Sequence, residues 1–185
     1  MAPLALVLDM MPRRDSPFEG EIVSSFLENM GWNVRRVFKP KVGKVPKELF
    51  KAFDCDLIHL SAHATKDSID AGQQGRGYLD VDEIFEYFDR KLDQDEIRLD
   101  ETSIVVNSGC ETFSPKWCQL FVDSFRVKNY IAPIGKPSID EGILFPLHIY
   151  TNLYGQRERF RAKNALEKAQ REMKLEVRWD IRTYR

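Results

Sequence analysis

Short apolar runs recur along the chain, and the gaps between them mostly carry apolar residues in a different rhythm. The runs fall at 4–8, 33–38, 56–61, 103–107 and 130–133, each of a length that suits a buried strand. Between them the period lengthens to that of a helix. Ile22, Val23, Phe26, Leu27 and Met30 fall on one face, and Gly31 stops that helix. Pro46 opens a short helix carrying Leu49, Phe50 and Phe53, and Val81, Ile84, Phe85 and Phe88 make a third stripe. In "SPKWCQLFVDSF" Ser114 is placed to cap a helix and Pro115 to occupy its first turn, with Trp117, Cys118, Phe121 and Phe125 on the buried side. Strands that alternate with helices predict a three-layer α/β sandwich, with a mostly parallel sheet of about six strands flanked by helices. No repeat, linker or low-complexity tract divides the 185 residues, so one domain over 1–185 is expected.

Charge and cysteine usage exclude several classes of function. The net charge is −1, which gives no general attraction to nucleic acid or to an anionic membrane. Residues 156–185 hold ten Lys/Arg against five Asp/Glu, a local excess that suits a solvated amphipathic helix or a docking face for a partner. No apolar stretch approaches the roughly 18 to 20 residues needed to span a bilayer. The opening "MAPLALVLDMMPRR" has no basic residue ahead of its apolar run, so it reads as a first buried strand rather than a secretory signal. Three widely spaced cysteines make no disulfide framework, and reduced thiols in a cytoplasm are expected.

Reactive groups in open α/β sheets gather at the carboxyl ends of the strands. Two runs end in chemically capable residues: "DLIHLSAHA" runs through His63, and "SIVVNSGC" ends in Cys110. A metal site is not expected. His59 and His63 share a strand face but lie roughly 13 Å apart at about 3.3 Å per residue, and neither CxxC nor HExxH occurs. "GQQGRG" lacks the spacing and the Lys-Ser/Thr of a phosphate-binding loop, so no cofactor is expected. A thiol beside an imidazole suits nucleophilic catalysis, because the base converts the thiol to its reactive thiolate. Cys55 and Cys118 read as inert core thiols. His59 reads as a packed or hydrogen-bonded core residue, and His148 as structural or exposed. The polar, glycine-rich segment 65–78 reads as a mobile loop over the strand edge.

With these residues in place the chain resembles a known family. "IHLSAHA" and "IVVNSGCET" are similar to the His and Cys motifs of CHAT domains, caspase-like cysteine peptidases of clan CD. The similarity continues in order through "NYIAPIGKPSIDEGILFPLHIYTNLYGQ", "RAKNALEKAQREMK" and "EVRWDIRTYR", the last falling where the family has its final strand. The resemblance implies a cysteine endopeptidase acting on protein substrates. Cys110 would be the nucleophile, His63 the base and then the acid, and the N–H groups of Ala64 and Cys110 the oxyanion donors. It further implies Asp140 or Glu141 as a substrate-pocket acid selecting Arg or Lys, an activating partner or ligand in trans, and a role in bacterial stress or antiviral defence. Read without the resemblance, either acid suits the first turn of a helix equally well. Two departures stand out: the family has Gly after the His where Ala64 stands, and Ala before the Cys where Gly109 stands. Two other readings remain, a catalytically inactive caspase-like binding module and a Rossmann-like nucleotide or signal binder.

Overall fold

A computed structural model describes residues 2–11, 19–52, 54–70, 77–92, 104–154 and 161–184. Its main sheet has six strands: β1 (Leu4–Asp9), β2 (Asn33–Phe38), β3 (Leu57–Ser61), β7 (Ile104–Asn107), β8 (Asn129–Pro133) and β9 (Trp179–Thr183). They lie in the order β2-β1-β3-β7-β8-β9. All neighbours pair in parallel except β9, which runs antiparallel along β8.

Helices cover both faces, which gives the expected three-layer α/β sandwich. On one face α2 (Val45–Phe50), α3 (Val81–Leu92) and α4 (Pro115–Cys118) pack on the sheet, and α4 continues as a π-helical stretch over Gln119–Ser124. Leu6, Leu8, Ile58, Leu60, Val105 and Tyr130 point into this layer, where Leu49, Phe88, Trp117 and Phe121 meet them. The other face carries α1 (Glu19–Asn29), α5 (Ile139–Tyr154) and α6 (Ala162–Glu172), packed on Ala5, Val7, Leu57, Val106 and Ile131. Residues of one strand therefore alternate between layers with the two-residue period of a pleated strand. Burial on both faces explains why the central strands β1, β3, β7 and β8 show continuous apolar runs rather than alternation.

Local structure follows the sequence signals closely. The Ser114 hydroxyl accepts the Trp117 N–H at 3.4 Å as the cap of α4, with Pro115 in its first turn. Trp117, Cys118, Phe121 and Phe125 are all buried, and the Phe121 ring stacks on Tyr130 with centroids 5.0 Å apart. The basic helix α6 buries Ala162, Ala165, Leu166 and Ala169 and keeps its charges outside, among them the Lys163–Glu167 and Lys168–Glu172 pairs. In α1 the buried side is rotated from the expected stripe. Ile22 is 41 % exposed, while Glu19, Gly20, Val23, Ser24 and Leu27 are buried. Phe53 lies outside the described residues.

The expected loop over 65–78 is partly regular. β4 (His63–Ala64), β5 (Ser68–Asp70) and β6 (Tyr78–Asp80) form a small antiparallel sheet, and residues 71–76 lie outside the described set. Ile69 and Leu79 stand opposite one another in this sheet, both nearly inaccessible. The turn before β5 is fastened to α4: the Trp117 indole N–H donates to the Thr65 carbonyl at 3.0 Å, and the Ser114 hydroxyl donates to that of Lys66 at 2.5 Å. Among the described residues no helix is long and apolar enough to cross a membrane.

Candidate active site

Adjacent parallel strands β3 and β7 deliver the two candidate residues to the same edge. In their register Leu60 pairs with Asn107, and the Ser108 N–H extends the ladder by donating to the Leu60 carbonyl at 2.9 Å. Beyond this point each chain turns, one into His63-Ala64 and the other into Gly109-Cys110. The two turns touch. A side chain built on Gly109 would place its Cβ 2.6 Å from the Cβ of Ala64 and 3.2 Å from the Ala62 carbonyl oxygen, far inside contact distance. His63 and Cys110 therefore flank one close contact, and both are partly exposed.

The Cys110 turn is braced from several sides. The Asn107 side-chain oxygen accepts the Gly109 N–H at 3.0 Å, and the Thr112 hydroxyl donates to the Gly109 carbonyl at 2.8 Å. The Tyr130 hydroxyl donates to the Thr112 carbonyl at 2.9 Å. Glu111 adopts a left-handed conformation, with φ at 57°, which a non-glycine residue keeps only when its surroundings enforce it. Its N–H donates to the Gly135 carbonyl at 2.7 Å, and the Phe113 N–H donates to that of Pro133 at 3.0 Å.

Burial pushes the Cys110 thiol up from its ordinary value. The exposed Lys136 ammonium draws it back down, Glu111 pushes it up again, and the Cys110 N–H lowers it. Cys55 and Cys118 sit deeper, pushed by burial up to about 12 and about 11. All three thiols are free. Reactivity requires both thiolate and access, and of the three thiols Cys110 is the accessible one. Iodoacetamide followed by mass spectrometry is expected to label Cys110 in the native protein and to spare Cys55 and Cys118. Its rate should rise with pH through a midpoint above that of an ordinary thiol. Lys136→Ala removes a lowering influence and should move that midpoint higher, and a downward move would contradict the assigned electrostatics.

His63 stands opposite Asp70 in the β4–β5 register, and directly opposed residues of an antiparallel pair share a face. Asp70 gives no signal in the sequence, because its pairing depends on a small sheet formed within a polar stretch. Of the two pocket acids, Asp140 is exposed at the start of α5. Glu141 is buried, and its carboxylate accepts the N–H groups of Glu176 and Val177 and the Trp179 indole N–H at 3.1, 3.4 and 3.1 Å. His59 is fully buried, with its Nδ1 2.7 Å from the Tyr150 hydroxyl. His148 lies 3.8 Å from Glu172. A cavity of about 1120 Å³ between α4 and β9 is lined by Phe113, Cys118, Ile181 and Arg182, and neither His63 nor Cys110 lines it.

No protein-family model matches the chain, and no curated protein does. Among solved structures it is similar to a flavodoxin from Streptococcus pneumonia TIGR4, with 16% identity, a TM-score of 0.39 and coverage of 92% of this chain and 99% of that one. A likeness this distant bears on neither activity nor ligand.

Proposed function

We propose that the chain is a caspase-like cysteine endopeptidase working through a Cys110–His63 dyad. The observation that carries this reading is the contact between Gly109 and Ala64. CHAT domains place Gly after the His and Ala before the Cys, whereas this chain has the reverse at both positions. Because the two positions meet, with 2.6 Å from a Gly109 Cβ to that of Ala64, one methyl fits between the turns and two do not. The departures thus compensate each other, as residues do when a dyad spacing is preserved.

In the proposed reaction His63 takes the proton from the Cys110 thiol, and the sulfur attacks the scissile carbonyl carbon. The oxyanion forms at the N–H groups of Ala64 and Cys110, which stabilise charge only as it develops. His63 then returns the proton to the leaving amine, and water hydrolyses the thioester. A thiol held neutral by burial needs such a base, which the pKa direction at Cys110 supports. Asp70 stands opposite His63 in the β4–β5 register, on the side from which the imidazole can be oriented. Asp140 is the exposed acid available to a basic residue before the cut, and three free thiols suit a cytoplasmic setting.

The contact supplies its own test. Gly109→Ala forces two Cβ atoms together, an overpacking that costs roughly 1–3 kcal/mol and displaces the turn. Turnover of a peptide library should fall about 100-fold, since a shift near 1 Å is enough for that. Adding Ala64→Gly should recover most of the loss. Restoration stays partial because Asn107 and the Ala62 carbonyl also lie close, at 3.1 and 3.2 Å. A double variant no better than Gly109→Ala alone would count against the swap.

A further inference from the structure

We propose that Glu19 is a positioning residue for the nucleophile, acting through Ser108 and held in place by His59 and Tyr150. The inference rests on the peptidase reading of Cys110. The Ser108 hydroxyl, two residues before Cys110, lies 2.6 Å from a Glu19 carboxylate oxygen and 3.0 Å from the Leu60 carbonyl. That same Glu19 oxygen is 3.4 Å from His59 Nε2, and His59 Nδ1 is 2.7 Å from the Tyr150 hydroxyl. A line of buried polar groups thus runs from α5 through β3 and α1 to the Cys110 turn, hydrogen-bonded at its two ends and joined between them by the 3.4 Å approach of His59 to Glu19. Every member is buried, with Glu19 at 4 %, Ser108 at 8 %, Tyr150 at 2 % and His59 fully so.

Such a chain is costly to keep inside a core. Helix α1 begins at Glu19, and an acid there to favour the helix dipole would do so equally well facing water. This one is turned inward beside a second buried carboxylate. Asp9 accepts the N–H groups of Met11 and Gly20 at 2.9 and 3.1 Å, and burial with the nearby Glu19 charge pushes its carboxyl up. Gly20 lets α1 come this close, since a Cβ there would fall 2.6 Å from Asp9. The ion-pair partner that Glu19 has among the described contacts is His59, whose Nε2 makes no hydrogen bond. A buried carboxylate without a permanently charged partner destabilises the fold. Apolar residues would pack here at less cost, but they could not hold the Ser108 hydroxyl.

Hydrogen-bond capacity narrows what Glu19 does. Ser108 has one hydroxyl proton and faces two acceptors, and the Leu60 carbonyl already takes the Ser108 N–H. The shorter of the two contacts is the one to Glu19, which accepts that proton. The hydroxyl is thereby pinned between α1 and β3, which fixes where β7 ends and the Cys110 turn begins.

The test is a double-mutant cycle of Glu19→Ala and Ser108→Ala, with Glu19→Gln as the conservative variant, read by peptide turnover, iodoacetamide labelling and melting temperature. Each single change should lower kcat about tenfold or more, with KM little altered, because a slack nucleophile is poorly aligned rather than poorly bound. Labelling of Cys110 should instead rise by roughly threefold as its half-buried thiol gains access, while Cys55 and Cys118 stay protected. General loosening would expose all three thiols. The double variant should be no worse than the worse single, and Glu19→Gln, which keeps an acceptor for Ser108, should recover most of the loss. Where Glu19→Ala does not fold, Ser108→Ala and Glu19→Gln carry the comparison. Wild-type labelling of Cys110 in Ser108→Ala, or singles whose effects multiply in the double, overturns the proposal. If the wild type cleaves nothing, the peptidase reading fails, while the labelling cycle still decides whether Glu19 positions Cys110.

Discussion

Cys110→Ala and His63→Ala are each expected to reduce peptide cleavage by on the order of 10⁴-fold or more, with folding retained. The effect is large because the two groups act as one unit: without the thiol no thioester forms, and without the imidazole the thiol keeps its proton. Both residues are partly exposed at a strand edge, so neither truncation opens a core cavity. Loss of stability should stay within about 1 kcal/mol. The double variant should be scarcely slower than either single one, the signature of groups that work together. The readout is cleavage of a peptide library by the wild type and the three variants. Undiminished cleavage by Cys110→Ala would end the enzyme reading and leave a binding module.

Cys55→Ala and Cys118→Ala mark the contrast. Their thiols are buried at 2 % and 3 % exposure, and Cys118 lies on the packed stripe of α4. Each should leave turnover near wild type, because both residues are almost wholly buried, and neither lies on the turns that carry His63 and Cys110.

The central strands of the main sheet were legible because they are buried on both faces, so 4–8, 56–61 and 130–133 read as apolar runs whatever their partners, whereas the edge strand β2 has no buried residue. Their order was not in the runs themselves, since nothing local says that β7 lies beside β3. The small sheet escaped notice for a different reason. Ile69 and Leu79 anchor it almost alone, ten residues apart in a polar stretch, and their pairing is a long-range fact. Ile22 misled because it fits the helical period, yet the sheet turns the Ser24 side of α1 inward. At the site, Cys110 and His63 could be read from turn chemistry after an apolar run. Glu19 could not, because an acid in the first turn of a helix is an ordinary surface feature. Only the approach of α1 to Ser108, 89 residues away, gives it another meaning.

Asp140 and Glu141 show the same limit most sharply, and they lead to the second large effect. Neighbours on a helix point about 100° apart, so one of two adjacent acids can face water while the other is buried. Which one turns inward is decided by β9 and the chain leading to it, 35 residues later. Glu141 ties α5 to that segment through three donors, of which the Trp179 indole N–H is buried and those of Glu176 and Val177 are partly so. Glu141→Ala is therefore expected to cost about 1–3 kcal/mol in urea unfolding, chiefly because the buried Trp179 indole N–H loses its acceptor. Glu141→Gln should still be destabilising, because its amide nitrogen would face a donor where a carboxylate oxygen now accepts one. Asp140→Ala should leave unfolding unchanged and instead weaken any preference for Arg or Lys before the cut. The two substitutions thus separate a structural carboxylate from one that faces substrate. If Glu141→Ala unfolds like the wild type but loses the basic preference, the roles assigned to the two acids are reversed. If Asp140→Ala cleaves the same peptides at the same rates, Asp140 is a helix-terminal charge and selectivity must be sought elsewhere on the rim, beginning with Lys136.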